Sequence, residues 1–171
     1  MIEAGVVVPI CRRADGVLRL VLVRRGERGR HGGQLAFPGG KREAGDASLL
    51  DTALRETCEE IGLGKEQIQV LAPLPVLTTQ SSGFCITPFL VRVTPPPQWR
   101  WQAGEIAEVI EAPLAEMADP EAHGEALEPW PGSAELRRVA FYRVGPHRLW
   151  GVSYRILQPL LPRLLAGEWD C

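Results

Sequence analysis

Runs of aliphatic and β-branched residues recur along the chain with the lengths and boundaries of strands. Runs at 6–10 and 18–23 are separated by the turn-forming Ala14-Asp15-Gly16, which predicts two strands joined by a turn. Further runs predict strands at 68–77, 84–93, 106–112 and near 139–144. The prolines at 95–97 end the second of these four strands.

One segment has the periodicity of an amphipathic helix. Apolar or small residues recur there at three- and four-residue spacing, namely Leu49, Leu50, Ala53, Leu54 and Thr57. Asp46 or Ser48 is suited to cap its first turn and Gly62 follows its last, so the pattern predicts a helix over 48–61. We also expect a short helix at 113–117 and a terminal helix over 153–165. Because strands precede, separate and follow these helices, the chain is expected to form a mixed α/β fold in a single domain, 1–171.

The remaining segments are polar or rich in glycine and proline. Residues 24–33 form a basic, glycine-rich stretch that predicts a loop, and a short apolar piece follows at 34–37. Pro38-Gly39-Gly40 breaks the chain before a second polar loop that reaches Asp46. Residues 119–134 are predicted to be a loop with room for a short helix.

The composition is that of an ordinary globular chain, with 171 residues, 45% hydrophobic and 23% charged. Its 19 basic and 21 acidic residues give a formal net charge of −2, so no overall basic field favours nucleic acid or an anionic membrane as a partner. No apolar run approaches the ~18 residues that cross a bilayer. The first five residues lack the layout of a signal peptide. We therefore expect a cytoplasmic protein.

The predicted helix concentrates acidic side chains. The segment Arg55-Glu56-Thr57-Cys58-Glu59-Glu60 holds three carboxylates and one arginine, and Glu56 and Glu60 project from one face of the helix. Like charges at this spacing destabilise a helix by roughly a few tenths of a kcal/mol, and a hard divalent cation would remove the repulsion. Oxygen ligands without a His or Cys cluster favour Mg²⁺ or Mn²⁺ over Zn²⁺. The alternative is an acidic helix face in contact with water.

The surroundings of this helix favour the metal-site interpretation. The loop upstream carries five basic or imidazole side chains, Arg24, Arg25, Arg28, Arg30 and His31. The glycines at 39 and 40 let backbone amides approach a ligand. Cations that offset anionic oxygens, beside carboxylates that hold a metal, suit a small diphosphate compound.

These residues carry a resemblance to a known family. Gly40-Lys41-Arg42-Glu43-Ala44-Gly45-Asp46, followed by Arg55 to Leu63, resembles the signature of the Nudix hydrolases, which cleave pyrophosphate linkages with magnesium. The resemblance implies an α/β/α sandwich with a central mixed β-sheet and a loop-helix-loop catalytic motif. The chain has Asp46 where the family has a glutamate, eight residues between Asp46 and Arg55 where the family has seven, and Thr57 where an aliphatic residue is usual.

A second resemblance is to the coenzyme A pyrophosphatase branch of that family. The segment from His31 through Gln34-Leu35-Ala36-Phe37 to Gly40 is similar to a sequence motif of the branch, and this branch also has the one-residue-longer loop. Downstream similarities extend the resemblance over nearly the whole chain, at Ser82-Gly83-Phe84, Glu105 to Val109 and Trp150 to Ser153. On the second strand the chain has Val21-Leu22 and Arg25 where the branch has other residues.

The resemblance implies roles for the acidic helix. Glu56 and Glu60 would bind magnesium, Glu59 would be a further ligand directly or through water, and Arg55 would orient the carboxylates. A general base must take a proton from the attacking water. Glu59 is one candidate, and Glu105, from a loop beside the helix, is the other; the alternative for Glu105 is an exposed loop acid.

Other residues are candidate substrate contacts. Arg24, Arg30, His31 and Gln34 lie in or beside the basic loop, and Gly39 and Gly40 could donate amides to phosphate. The alternatives are solvated loop side chains and, for the glycines, a purely conformational role. Trp99 and Trp101 would form either a dimer contact or a lid over substrate, and Trp150 a core residue rather than an adenine-stacking platform.

The favoured interpretation is a Mg²⁺-dependent pyrophosphatase, with Mn²⁺ as a substitute, acting on coenzyme A or its derivatives. The first rival is the same chemistry on another nucleoside diphosphate derivative, such as ADP-ribose or NADH. The second is a catalytically silent binding protein with the same fold. Family habit also implies a homodimer.

Overall fold

The computed structural model describes residues 1–29, 31–130 and 132–170, so the predicted substrate contact Arg30 lies outside the described residues. The strands, in chain order, are β1 (Ile2–Arg12), β2 (Leu18–Arg25), β3 (Leu35–Ala36), β4 (Gly39–Lys41), β5 (Ile68–Pro73), β6 (Leu77–Thr78), β7 (Phe84–Val93), β8 (Ile106–Pro113), β9 (His123–Pro129), β10 (Leu136–Val144) and β11 (His147–Trp150). The helices are α1 (Leu49–Ile61), α2 (Leu114–Met117) and α3 (Gly151–Leu165), and single 3₁₀ turns lie at Lys65–Gln67 and Pro120–Ala122.

The main sheet is mixed and is built around β1. The strand order is β3-β2-β1-β7-β5, with β8 beside β2, β4 beside β1 and β6 beside β7. The β1–β7 pair is parallel, whereas β1 pairs with β2 and with β4 in the antiparallel sense. A second sheet has the order β11-β10-β9.

Alternating residues of the central strands supply two cores on opposite faces of the main sheet. Val7 and Val21 belong to the core that includes Ala53 and Ile61 of α1. Val8 and Leu22 belong to the core shared with α2, α3 and the second sheet. The predicted α/β/α sandwich with a mixed central sheet is confirmed, and the second sheet adds to the α3 layer.

Four local expectations differ from the structure. Strand β9 replaces predicted loop and β11 forms where no element was predicted, because few positions of either strand are fully buried. Gly39–Lys41 is a strand paired with β1 rather than part of a loop. The single strand predicted at 68–77 is divided into β5 and β6, and the predicted short helix starts at Leu114 because Pro113 still belongs to β8. No helix in the described part of the chain is long and apolar enough to cross a membrane.

Helix α1 begins and ends with the predicted signals. The Ser48 side chain accepts a hydrogen bond from the amide of Asp51 at 3.1 Å, so Ser48, and not Asp46, is the N-cap. Gly62 ends the helix at φ +71°, and its amide donates to the Cys58 carbonyl at 3.0 Å. The helix lies directly on β1, because a Cβ at Gly5 would overlap the Leu49 carbonyl oxygen and lie 3.0 Å from the Ala53 amide nitrogen. Glycine at position 5 thus sets the closeness of helix and sheet.

We expect Gly5→Ala to destabilise the protein by about 1–3 kcal/mol, because the added methyl group forces α1 away from β1. For a chain of this size the melting temperature should fall by roughly 2–4 °C per kcal/mol. Urea and thermal unfolding measure both quantities. The matched control is Gly45→Ala, since a Cβ at Gly45 meets nothing within 4 Å. Equal stability changes in the two variants would contradict the close packing of α1 on Gly5.

Candidate active site

The loop before α1 is fastened to the helix by an ion pair. Arg55 donates from Nε to Asp46 Oδ1 at 2.9 Å and from Nη2 to Asp46 Oδ2 at 3.0 Å. Asp46 also accepts from the Thr52 hydroxyl and from the Glu43 amide, both at 2.9 Å. The Arg55 guanidinium holds the pKa of the Asp46 carboxyl well below its usual range. The aspartate that departs from the family signature thus orients Arg55 despite the longer loop.

Arg55 also draws together two of the helix carboxylates. Its Nη1 atom lies 3.1 Å from Glu56 Oε1 and 3.4 Å from Glu59 Oε2. Glu56 is half-buried and Glu59 is exposed. Desolvation raises the pKa of Glu56, and the hydrogen bond from Arg55 partly opposes that rise. Arg55 therefore offsets part of the repulsion between these glutamates, and its role in orienting them for a metal ion stays a prediction.

Glu60 is the most deeply buried acid of the helix, with 6% of its surface exposed. The pKa of Glu60 is raised to about 8, chiefly by desolvation and also by the charges of Glu56 and Glu105, while Arg25 and a backbone hydrogen bond from Gly39 oppose part of the rise. Burying a carboxyl without a full counter-charge is unfavourable. This cluster is therefore short of positive charge.

The backbone beside these acids leaves no room for side chains. Gly39 has φ +154°, and a Cβ there would overlap the Gly5 carbonyl oxygen. A Cβ at Gly40 would lie 2.5 Å from Glu56 Cδ. Glycine at both positions lets β4 approach the carboxylates closely. The amide of Gly39 donates a hydrogen bond to the Glu60 carboxyl. Donation from Gly39 and Gly40 to a phosphate stays a prediction.

The side chains of two basic residues at the end of β2, Arg24 and Arg25, lie on opposite faces of the main sheet. Arg25 lies close enough to Glu60 to lower its pKa. The preceding Arg24 donates from Nε to Glu108 Oε1 at 2.9 Å, and His147 Nε2 lies 3.5 Å from the same oxygen. Arg24, Glu108 and His147 each lie two positions along their strand from a residue that belongs to the α3-side core or packs against it, namely Leu22, Ile110 and Leu149. Arg24 therefore lies on the face opposite α1, and Arg25 is the basic residue that the structure brings to the carboxylates.

The sequence contained a signal for Arg25. Val21 and Val23 belong to the α1-side core, and continuing that alternation by two positions reaches residue 25. Because Arg24 and Arg25 are adjacent and chemically identical, composition alone does not separate them.

The remaining predicted contacts lie in the loop between β2 and β3. His31 is exposed and Gln34 is half-buried. The carbonyl of Gln34 accepts from the Arg25 amide at 2.9 Å, and the carbonyl of Arg25 accepts from the Gly33 amide at 3.1 Å. These bonds tie the end of the loop to Arg25. His31 and Gln34 stay predicted substrate contacts.

Glu105 reaches the cluster from the segment before β8. Its side chain is exposed, its charge raises the pKa of Glu60, and its carbonyl accepts from the Gly26 amide at 2.8 Å. The structure thus brings together Glu56, Glu59, Glu60, Glu105, Arg25 and Arg55. A water molecule beside Glu60 would lie near a free carboxylate that can accept its proton.

The donor set fits a hard divalent cation. Oxygen is the only donor type in the cluster, and its acids outnumber its cations. Within the described ranges no three Asp, Glu, His or Cys side chains are already arranged to hold an ion. The carboxylates that Arg55 holds would therefore turn toward the ion when it binds.

Comparison with known proteins agrees with this geometry. The family model for the NUDIX domain matches residues 1–130, which is more than half of the chain. The chain belongs to the Nudix family of hydrolases.

Similar Nudix proteins include one with a named substrate. The mitochondrial coenzyme A diphosphatase NUDT8 of Homo sapiens is 35% identical over 98% of this chain and 72% of its own length. Two proteins named as uncharacterized Nudix hydrolase NudL are also similar. The one from Citrobacter koseri is 39% identical over 67% of this chain and the one from Photorhabdus laumondii 33% over 92%. The matched part spans 58% of the Citrobacter protein and 82% of the Photorhabdus protein.

Solved structures share the fold. A MutT/nudix family protein from Enterococcus faecalis has a TM-score of 0.66 at 18% identity, over 96% of this chain and 62% of that protein. A Nudix hydrolase from Nitrosomonas europaea has a TM-score of 0.63 at 16% identity, over 97% of this chain and 73% of that protein. At these identities the likeness shows the fold alone.

The buried carboxyl predicts a pH-dependent stability for the metal-free Nudix domain. The pKa of Glu60 is about 8 when folded and 4.5 in the reference state, so folding binds a proton between these values. Stability should fall by up to about 1.4 kcal/mol per pH unit as the pH rises through this window, and level off above it. In Glu60→Gln this contribution should be absent. Urea unfolding in EDTA across the same pH range measures the difference, and identical pH profiles for the two proteins would contradict the burial of an ionisable Glu60.

Proposed function

We propose that this Nudix domain is a Mg²⁺-dependent pyrophosphohydrolase that cleaves the diphosphate bond of coenzyme A or its derivatives. The products would be adenosine 3′,5′-bisphosphate and a 4′-phosphopantetheine compound. The observation that carries the chemistry is the cluster of Glu56, Glu60 and Glu105 around a buried, charge-deficient position beside Arg25. The choice of substrate rests on the similarity to the human coenzyme A diphosphatase and on the resemblance of residues 31–40 to the coenzyme A pyrophosphatase branch.

Glu56 and Glu60 would hold the metal, with Glu59 as a further ligand. Mn²⁺ would serve as a substitute because it accepts the same oxygen donors. When bound, the ion neutralises diphosphate charge and lowers the pKa of a bound water. Burial of Glu60 suits this role, because the ion would supply the positive charge that the site lacks.

The side chains of the chain would divide the remaining work. Arg25 attracts the anionic oxygens of the diphosphate, and Arg55, fixed by Asp46, orients Glu56 and Glu59. Glu105 accepts a proton from the attacking water. The water oxygen then bonds to phosphorus, and the bond from that phosphorus to the bridging oxygen breaks, leaving the charge on the departing phosphate.

Glu105 is favoured over Glu59 as the general base. Glu59 lies 3.4 Å from Arg55 Nη1, so its carboxylate already has a cationic partner. No described side chain forms an ion pair with Glu105, and its charge acts on Glu60. An unpaired carboxylate at the edge of the cluster is the better acceptor.

The second candidate is the same reaction on another nucleoside diphosphate derivative, such as ADP-ribose or NADH. A solved structural neighbour, the NUDIX domain of Shewanella oneidensis NrtR, was crystallised with ADP ribose. At 21% identity that likeness shows the fold alone. The cytoplasmic location and the homodimer stay predictions, and the human relative is by name mitochondrial.

The proposed substrate is tested by measuring kcat/KM on coenzyme A, acetyl-coenzyme A, ADP-ribose and NADH with Mg²⁺. We expect the two coenzyme A compounds to give the highest values, and activity to vanish in EDTA and return with Mg²⁺ or Mn²⁺. Faster turnover of ADP-ribose or NADH would overturn the assignment of coenzyme A as the substrate. If none of the compounds were hydrolysed, a catalytically silent binding protein would be favoured.

The metal assignment is tested with Glu60→Gln, which keeps the shape of the side chain but removes its charge. We expect kcat to fall by at least about a hundredfold, since even residues behind a metal ligand typically contribute 10–100-fold. Glu66→Gln is the control, because Glu66 is an exposed glutamate on the turn after α1. If Glu60→Gln were as active as the Glu66→Gln control, Glu60 would not be a metal ligand.

A further inference from the structure

The segment between β7 and β8, residues 94–105, carries Glu105 to the cluster and is called the strap below. It runs past the carboxyl end of α1. The amide of Gln102 donates to the Glu60 carbonyl at 3.0 Å, and the amide of Thr94, where the strap begins, donates to the Gln67 carbonyl at 2.9 Å. The strap is therefore attached to the backbone of a candidate metal ligand.

The end of the strap is held on a second side by β2 and the loop that follows it. The Gly26 amide donates to the Glu105 carbonyl at 2.8 Å, and the Ile106 amide donates to the Gln102 carbonyl at 3.0 Å. A Cβ at Gly26 would lie 2.7 Å from the Gly104 carbonyl oxygen, so the two backbones are in close contact. The backbone of Glu105 thus lies between attachments to Gly26 and to Glu60.

The middle of the strap is fixed by side chains. The Trp99 ring packs against the α1-side core, and its Nε1 donates to Glu111 Oε1 at 2.9 Å. Arg13 donates to the same carboxylate from Nε at 3.0 Å and from Nη2 at 2.7 Å, and its Nη2 also donates to the Pro96 carbonyl at 3.0 Å. Glu111 is 15% exposed. Trp99, Glu111 and Arg13 are called the strap anchor.

We propose that the strap anchor sets the position of Glu105 relative to Glu60, and that Trp99 is a positioning residue for the general base. The inference rests on the role of Glu105 in the proposed function. Anchoring the middle of the strap shortens its free length, which restricts the positions that its end can reach. Proton transfer requires the base to be within hydrogen-bond reach of the water, so a small displacement of Glu105 lowers the rate.

This role differs from the two alternatives that the sequence suggested for Trp99. A lid over substrate needs a ring that can move, and a dimer contact needs an exposed ring. The ring of Trp99 is instead half-buried and hydrogen-bonded to a carboxylate that Arg13 holds.

The test is a double-mutant cycle on the full chain with Mg²⁺ and coenzyme A, or with whichever diphosphate the wild type hydrolyses. Trp99→Phe removes the donor and keeps an aromatic ring. We expect kcat to fall roughly tenfold with KM unchanged within about twofold, because binding of the substrate does not depend on the base. In the Glu105→Gln background the same change should lower kcat by less than about twofold, because the base is already absent.

The control is Tyr154→Phe, which removes the hydrogen bond of 2.5 Å between Tyr154 and His123 on the opposite side of the sheet. It should leave kcat unchanged. An equal loss for Trp99→Phe in both backgrounds, or a loss confined to KM, would show a general structural effect and overturn the inference. A Glu105→Gln variant with wild-type kcat would also overturn it, whereas hydrolysis of coenzyme A by the wild type would still support the proposed function.

Discussion

The guanidinium of Arg55 joins the two parts of the acidic motif, the loop before α1 and the carboxylates on the helix. Two of its nitrogens bind Asp46 and a third reaches Glu56 and Glu59. Without this cation, three glutamates within five residues of helix would repel one another with no partner of opposite charge on that helix. The contacts of Asp46 with Thr52 and Glu43 fix the direction from which Arg55 approaches. The placement of Glu56 and Glu59 against the loop before α1 therefore depends on a single partly buried ion pair.

Glu60 is built into the fold at a cost in stability. Its carboxyl accepts a hydrogen bond from the Gly39 amide of β4 and is more easily protonated than an ordinary glutamate. Well-packed apolar residues would be more stable there than a buried acid. A binding site for a cation gives a physical reason to retain such an acid, because the stabilisation is recovered when the ion binds only the folded chain.

Much of the fold and part of the site follow from local patterns. Helix α1 was predictable because its apolar spacing, its Ser48 cap and its terminal Gly62 all indicate the same boundaries. The long strands were predictable because both cores bury runs of β-branched residues. Strands β9 and β11 were not, since few of their positions are buried and their segments lack a run of apolar residues, although each forms a hairpin with β10. The position of Arg25 beside Glu60 and the anchoring of Trp99 to Glu111 join distant parts of the chain. Strand alternation from Val21 and Val23 favours Arg25 over Arg24, whereas only the folded structure assigns Trp99 an interior partner.

The most direct test of the account is a crystal of the protein soaked with Mn²⁺ and ADP, a small diphosphate, and measured at the manganese absorption edge. We expect an anomalous peak within coordination distance of Glu56 and Glu60, with the diphosphate on the side of Arg25 and with Arg55 still bound to Asp46. Anomalous peaks confined to exposed acids elsewhere, with none at Glu60, would contradict it.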